Sequence, residues 1–187
     1  MLLAAGSSAP RFCQWAGALG ERASVLTDNL PAQVALFHVE ARLVLGGASD
    51  SPLRLLVDSA RRQGALISLD LGPPDWIRQR GGSRTTYQLA ALRPDVLFAG
   101  TESAAEVGAP LEGLASVPVI TMGEHGCTVY GRRVVAPVGI EPDVIGFMAT
   151  FCVAFVEGLA PVEAAGRAVL AAAGGLVSAE QEMESAS

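Results

Sequence analysis

The run Ala65 to Leu71 (ALISLDL) is almost continuously apolar, with Asp70 at its end, a pattern that suits a strand buried on both faces of a sheet. Asp95 to Ala99 is a second run of this kind, and Val117 to Met122 a third. Between them lie segments whose apolar residues return at helical spacing. Ser51 to Gln63 places Leu53, Leu56, Val57 and Ala60 on one face, with Ser51 as cap, Pro52 at the first helical position and Gly64 as stop. Thr85 to Leu92 reads as a short helix, and the Ala-rich segments Phe147 to Glu157 and Pro161 to Val177 as two more. Val34 to His38 and Arg42 to Leu45 read as extended, closed by Gly46 and Gly47. Cys127 to Tyr130 and Arg133 to Val138 around Gly131 read as a hairpin. Strands alternating with helices predict an open, mostly parallel α/β sheet covered on both faces. One domain is expected over residues 1–178, followed by a polar, acidic tail over 179–187.

Composition narrows the chemistry. Half of the 187 residues are hydrophobic, which excludes intrinsic disorder, and one core of this size buries roughly 70% of the unfolded surface. All 13 basic residues are Arg, so every mechanism that needs a Lys amine is excluded. The net charge of -6 opposes nucleic-acid binding, because phosphate would be repelled. Cys13, Cys127 and Cys152 are odd in number and widely spaced, which argues against a disulfide framework or a zinc site and for reduced thiols in the cytoplasm. Met1 to Ala5 is apolar but short, with no basic residue before Arg11, unlike a signal peptide. Phe147 to Val156 is too short to cross a bilayer, which takes about 20 residues.

In sheets of this kind ligands bind at the carboxyl ends of the strands, where Asp70, Gly100, Gly123 and Gly126 stand. Glycines also end strands for plain conformational reasons, so their presence there does not by itself mark a site.

Several motifs in order carry a resemblance. Val119-Ile120-Thr121-Met122-Gly123-Glu124-His125-Gly126 is similar to the "V-T-x-G-x-x-G" strand and turn of the PfkB/ribokinase family of carbohydrate kinases. Asp143 to Phe151 (DVIGFMATF) lies where that family carries "D-T-x-G-A-G-D-x-F", and Gly158-Leu159 and an Ala-rich helix follow in the family order. Ile67 to Asp70 and Arg93 to Leu97 resemble its central strands, and Gly6 to Gly20 resembles its first helix. The resemblance implies a three-layer ribokinase-like sandwich. The family's sugar-covering β-lid is missing, since only Glu21 to Ala35 separates the first helix from the run around Leu36 and His38.

Enzymes of the resembled family move the γ-phosphoryl group of ATP, with magnesium, onto an alcohol. An Asp takes the hydroxyl proton and a Gly-rich turn opening a helix holds the developing charge. The position matching that Asp is Ala149, and the two small residues before it are replaced by Phe147 and Met148. The family's "N-x-x-E" falls at Gly100-Thr101-Glu102-Ser103, the Asn of the last helix at about Val169, and the sugar-binding Asn of the first helix at Arg11. Asn29 is the only Asn in the chain, so these losses do not depend on fine alignment. Asp70, Asp95, Thr121, Gly123, Gly126 and Asp143 persist.

These substitutions imply a kinase homologue without catalytic residues, acting as a small-molecule-binding or partner-binding protein. The alternative is an active sugar or nucleoside kinase using Asp143 or Asp70 as a non-standard base, with ATP and magnesium. Thr121, Gly123, Gly126 and Gly146 are the positions where the resemblance implies nucleotide contact, and no metal ligand is assigned. The expected ligand is a sugar, nucleoside or nucleotide, with no nucleic acid and no membrane. Trp15, Phe147, Met148, Phe151 and Phe155 form an apolar stripe, part of which the missing lid would leave bare, so a homodimer is expected.

Other groupings point to plain structure. His125 and Cys127, two apart, point to opposite sides if extended. His38, between Phe37 and Val39, reads as a satisfied core histidine. Glu102, Glu106 and Glu112 read as a solvated face, and the pairs Arg61-Arg62 and Arg132-Arg133 as solvent-facing.

Overall fold

The computed structural model describes residues 2–6, 34–46, 52–137 and 143–185. The readings made for Arg11, Cys13, Trp15 and Asn29, and for most of the first helix, lie outside these residues. The chain divides into two compact units, Met1–Pro118 and Val119–Ser187.

In the first unit, β1 (Leu2–Gly6) runs antiparallel to β2 (Val34–Glu40). Strand β2 pairs in parallel with β3 (Leu66–Asp70), and β3 in parallel with β4 (Val96–Gly100). The centre is therefore parallel, as the apolar runs predict. Leu36, Phe37, Ile67, Leu69, Leu97 and Phe98 are all sealed from solvent, so neither face of these strands meets water. Helix α1 (Ala41–Leu45) follows β2 directly. This corrects the extended reading of Arg42 to Leu45. Ala41, Val44 and Leu45 are all buried, and their spacing of three and four residues is helical; four residues are too few to show that period clearly.

Helix α2 (Pro52–Arg62) has Pro at its start and buries Leu53, Leu56, Val57 and Ala60, as their spacing predicts. Gly64, at φ +86°, turns the chain into β3. Two helices escaped the sequence reading. Helix α3 (Pro74–Arg80) starts at a Pro and buries only Ile77. Helix α5 (Thr101–Val107) ends at Gly108 in the left-handed conformation, a stop signal available in the sequence. Between them lies α4 (Gly82–Leu92), which buries Thr85, Leu89 and Leu92. Asp95 has a structural task, because its carboxylate accepts the Ile67 N–H at 2.7 Å and ties the approach to β4 to β3.

Strand β5 (Val117–Thr121) ends in the second unit, where it pairs antiparallel with β6 (Cys127–Val129), which pairs antiparallel with β7 (Arg132–Val134). The expected hairpin is present, with Tyr130 and Gly131 at its tip, both at positive φ. Helix α6 (Val144–Val156) and helix α7 (Pro161–Ser185) pack on each other. Asp143 caps α6 and Gly158, at φ +94°, follows its end. Ala164, Ala165, Ala168, Ala172 and Ala173 are buried at three- and four-residue intervals, a stripe of small side chains that admits the Phe-rich helix α6. Helix α7 continues beyond Val177 through Ser185 and so takes in most of the segment that composition reads as a tail. The helix-forming Ala, Glu and Gln there favour continuation. Among the described residues, no helix is long and apolar enough to cross a membrane.

Candidate functional site

The second unit contains a small apolar pocket, with a cavity volume of about 40 Å³. Thr121, the last residue of β5, and Gly123 and Gly126 of the following turn form one wall. This turn is held by its own backbone: Met122 N–H donates to the Gly126 carbonyl at 2.8 Å, and Gly126 N–H to the Gly123 carbonyl at 3.1 Å. Gly126, at φ +89° and ψ -131°, requires glycine, and a Cβ there would run into the Val134 carbonyl, while Gly123 sits in the left-handed region at φ +56°. Ala136 and Pro137, after the hairpin, line a second side. Val144 and Phe147 of α6 and Val169 and Ala173 of α7 complete the pocket. The structure thus brings together three of the four expected contact positions, Thr121, Gly123 and Gly126. Gly146 lies one residue from Phe147 without lining the pocket.

The start of α6 is where an anion would be held in the resembled kinases. Here the Asp143 side chain accepts the Ile145 N–H at 3.0 Å, and the Asp143 carbonyl accepts the Phe147 N–H at 2.8 Å. Its other carboxylate oxygen stands so close to Gly146 that a Cβ there would lie 2.6 Å from it. A carboxylate therefore already occupies the positive end of the helix. Phe147 and Met148 are buried, each about 4% exposed, and the Phe147 ring forms part of the pocket wall. Ala149 follows, half-buried, with a methyl group in place of any proton acceptor.

The first unit holds a separate acidic pair. The parallel register sets Glu40 beside Asp70 at the carboxyl ends of β2 and β3. Asp70 accepts the Gly72 N–H at 3.2 Å. Burial pushes its carboxyl above the usual range, the Gly72 bond draws it back in part, and the neighbouring Glu40 charge adds to the rise. Glu40 itself pairs with Arg42 at 2.5 Å. Sequence reading singled out Asp70 and missed Glu40, although a lone carboxylate closing the apolar run VALFHVE is a visible signal. Gly100 precedes α5, and Ser103 donates its hydroxyl to the Gly72 carbonyl at 2.7 Å. The position that carries Glu in the resembled kinases here fastens a loop.

The remaining candidates have structural tasks. His38 is buried and shares a hydrogen bond of 2.9 Å between Nδ1 and the Ser68 hydroxyl, with Phe98 edge-on at 6.0 Å. Burial pushes its pKa down to about 4, so it is neutral at pH 7. Cys127 is fully buried and its thiol is pushed up to about 11, which removes it as a nucleophile, while His125 is exposed beside Glu124 at 3.9 Å. Glu106 pairs with Arg78 at 2.6 Å, and Glu102 and Glu112 face solvent. Among the described residues, no three His, Cys, Asp or Glu side chains come together as metal ligands.

No protein-family model matches the chain, and no curated protein is significantly similar to it. Solved structures are. The adenosine kinase from Sinorhizobium meliloti superposes with a TM-score of 0.65 at 20% identity, covering 78% of this chain and 51% of that one. A probable sugar kinase from Rhizobium etli CFN 42 gives 0.64 at 18% identity, covering 79% and 51%. A fructokinase from Vibrio cholerae O395 gives 0.52 at 15% identity, covering 73% and 52%. The chain thus spans about half the length of the structures it matches. Together with the parallel centre of the first unit, the glycine turn and the capped helix, these likenesses establish that the chain has the α/β fold of the PfkB/ribokinase kinases.

Proposed function

We propose that this chain is a PfkB-like kinase homologue that binds a small molecule, without transferring phosphate. The observation that carries the reading is Ala149, a methyl group at the position matching the proton-accepting Asp of the resembled kinases. Loss of one such base commonly costs a factor of about 100 to 10,000. Phe147 and Met148 support the reading further, because they are bulky and buried where the resembled kinases carry two small residues at the turn. The surviving pocket supplies the binding half of the proposal.

The Vibrio cholerae fructokinase was solved with fructose, ADP and calcium, and the Salmonella enterica aminoimidazole riboside kinase with its riboside and an ATP analog. ATP and magnesium enter here only in a second reading, in which Asp70 or Asp143 replaces the base. The upward push on Asp70 favours it as proton acceptor over an ordinary surface carboxylate. The donor set does not fit a protein-held metal, since Glu40 is paired with Arg42 and no third ligand joins it among the described residues.

A coupled assay of ADP formation, run with magnesium over sugars and nucleosides at high protein concentration, decides between the two. No acceptor-dependent ADP is expected. Acceptor-dependent turnover that disappears in Asp70→Asn or Asp143→Asn would replace the first reading with the second.

The proposal places the protein in the cytoplasm, which the buried Cys127 and Cys152, neither of them in a disulfide, suit. It also includes a homodimer. Tyr130 at the hairpin tip and Leu170 on α7, 65% exposed, supply uncovered apolar surface. Sedimentation equilibrium is expected to give twice the chain mass, and a monomer at tens of micromolar would remove this part.

A further inference from the structure

We infer that the first unit holds a second ligand site, an open groove that takes small molecules joining an oxyanion to a flat apolar body. The groove has a volume of about 390 Å³, inside the range of about 300–1,000 Å³ usual for such ligands. It lies at the amino ends of β4 and β5, whereas the glycine turn follows the carboxyl end of β5. It shares no residue with the pocket of the second unit.

The polar side of the groove is cationic. Arg93 and Ser116 are both exposed there and supply guanidinium and hydroxyl donors. The Arg61 guanidinium stands at the same peptide, donating to the Arg93 carbonyl at 2.9 Å. Among the described residues neither Arg has a carboxylate partner, although acids outnumber bases 19 to 13 in the chain. Of the acids nearest in sequence, Asp58 pairs with Arg54, Asp95 accepts the Ile67 N–H, and Glu112 is exposed and pairs with neither Arg. A carboxylate or phosphate group matches the planar fork of donors that Arg93 offers. The walls are fixed before any ligand arrives. Ser116 N–H donates to the Pro94 carbonyl at 3.2 Å, and Arg93 N–H to the Leu89 carbonyl at 2.8 Å. Arg93 closes α4 at φ +48°, in the left-handed region where glycine is the ordinary choice. Ala90, Pro94 and Leu114 give the groove an apolar side. Tyr87, 76% exposed, lies about one turn before Ala90 on the same face of α4, so a ring carried by the anion gains apolar and aromatic contact.

Matched probes test the inference. Phenyl phosphate, benzoate and benzyl alcohol share a ring and differ in charge; inorganic phosphate has the charge without the ring. In calorimetry, phenyl phosphate or benzoate is expected to bind about ten-fold or more tighter than benzyl alcohol, and the tighter anion tells phosphate from carboxylate. Inorganic phosphate should bind about three-fold or more weaker than phenyl phosphate. Arg93→Gly removes the guanidinium and relieves the backbone, so it should keep or raise the midpoint of thermal unfolding while weakening the anionic probes about ten-fold. Arg93→Asn, also tolerated in the left-handed region, should weaken them likewise. Anion binding unchanged in both variants, benzyl alcohol as tight as either anion, inorganic phosphate as tight as phenyl phosphate, or no anion binding below about 10 mM would overturn the inference. Acceptor-dependent ADP formation, which decides the reading of Ala149, is independent of all four results.

Discussion

Replacing Phe151 with Ala is expected to lower the stability of the fold by about 3–5 kcal/mol, the range for emptying a large aromatic site in a core. Phe151 is fully buried at the middle of α6, with the Phe147 ring 6.4 Å away on one side and the Phe155 ring 6.1 Å away on the other. Helix α7, which packs on α6, presents alanines along its buried stripe. Alanine side chains cannot swing into a vacated space, so the cavity would persist rather than collapse. At about 2–4 °C per kcal/mol for a chain of this size, the midpoint of thermal unfolding should fall by on the order of 10 °C. Phe151→Leu keeps most of the volume and should cost under about 1.5 kcal/mol. Urea unfolding of the two variants measures the difference. A loss under about 1 kcal/mol for Phe151→Ala would mean that the packing of α6 is not as described.

Acid should weaken the fold through His38. The folded state holds this imidazole neutral with a pKa near 4, while the unfolded chain binds a proton near the ordinary value of 6.5. Unfolding therefore takes up a proton between those limits. Stability from this residue is fully present above pH 6.5, falls as the pH drops through the window, and is lost below pH 4. The total is about 3 kcal/mol, and the buried bond to the Ser68 hydroxyl is what protonation endangers. Asp70 works in the opposite sense. Its raised carboxyl favours the fold as pH drops below that raised value towards 3.8, so the whole-protein profile combines the two. Comparison with His38→Gln, which can still bond Ser68 and does not titrate, isolates the histidine. The wild type should lose stability relative to the variant between pH 6.5 and 4, and parallel profiles would remove His38 from the account.

The fold was legible where period and length agreed. Ala65 to Leu71 and Asp95 to Ala99 read as buried strands because their polar residues are only Ser68, Asp70 and Asp95, the two acids standing near the ends, and Ser68 turns out to be bonded to His38. Helix α2 was legible because Pro52, four apolar positions and Gly64 all say the same thing. Short elements were not. Helix α1 offers five residues, less than two turns, and α3 buries a single side chain, so neither displays a period to count. The glycine turn after β5 could be found as a motif, yet its packing against the Val134 carbonyl depends on how the hairpin folds back.

The sequence by itself determined which side chains the chain can offer at the positions matched to the resembled kinases. Ala149 has no acidic side chain, the chain has no Lys, and its single Asn lies far from the matching positions, whatever the coordinates. Only the tertiary structure decided what stands in place of the lost groups. Parallel register, set by pairing between distant strands, brings Glu40 to Asp70. The capping geometry of α6 turns Asp143 onto its own helix, and the packing of α6 and α7 makes Phe147 a wall. Identity is written one residue at a time, but proximity follows from hydrogen-bonded ladders and packed faces, which exist only once remote segments have met.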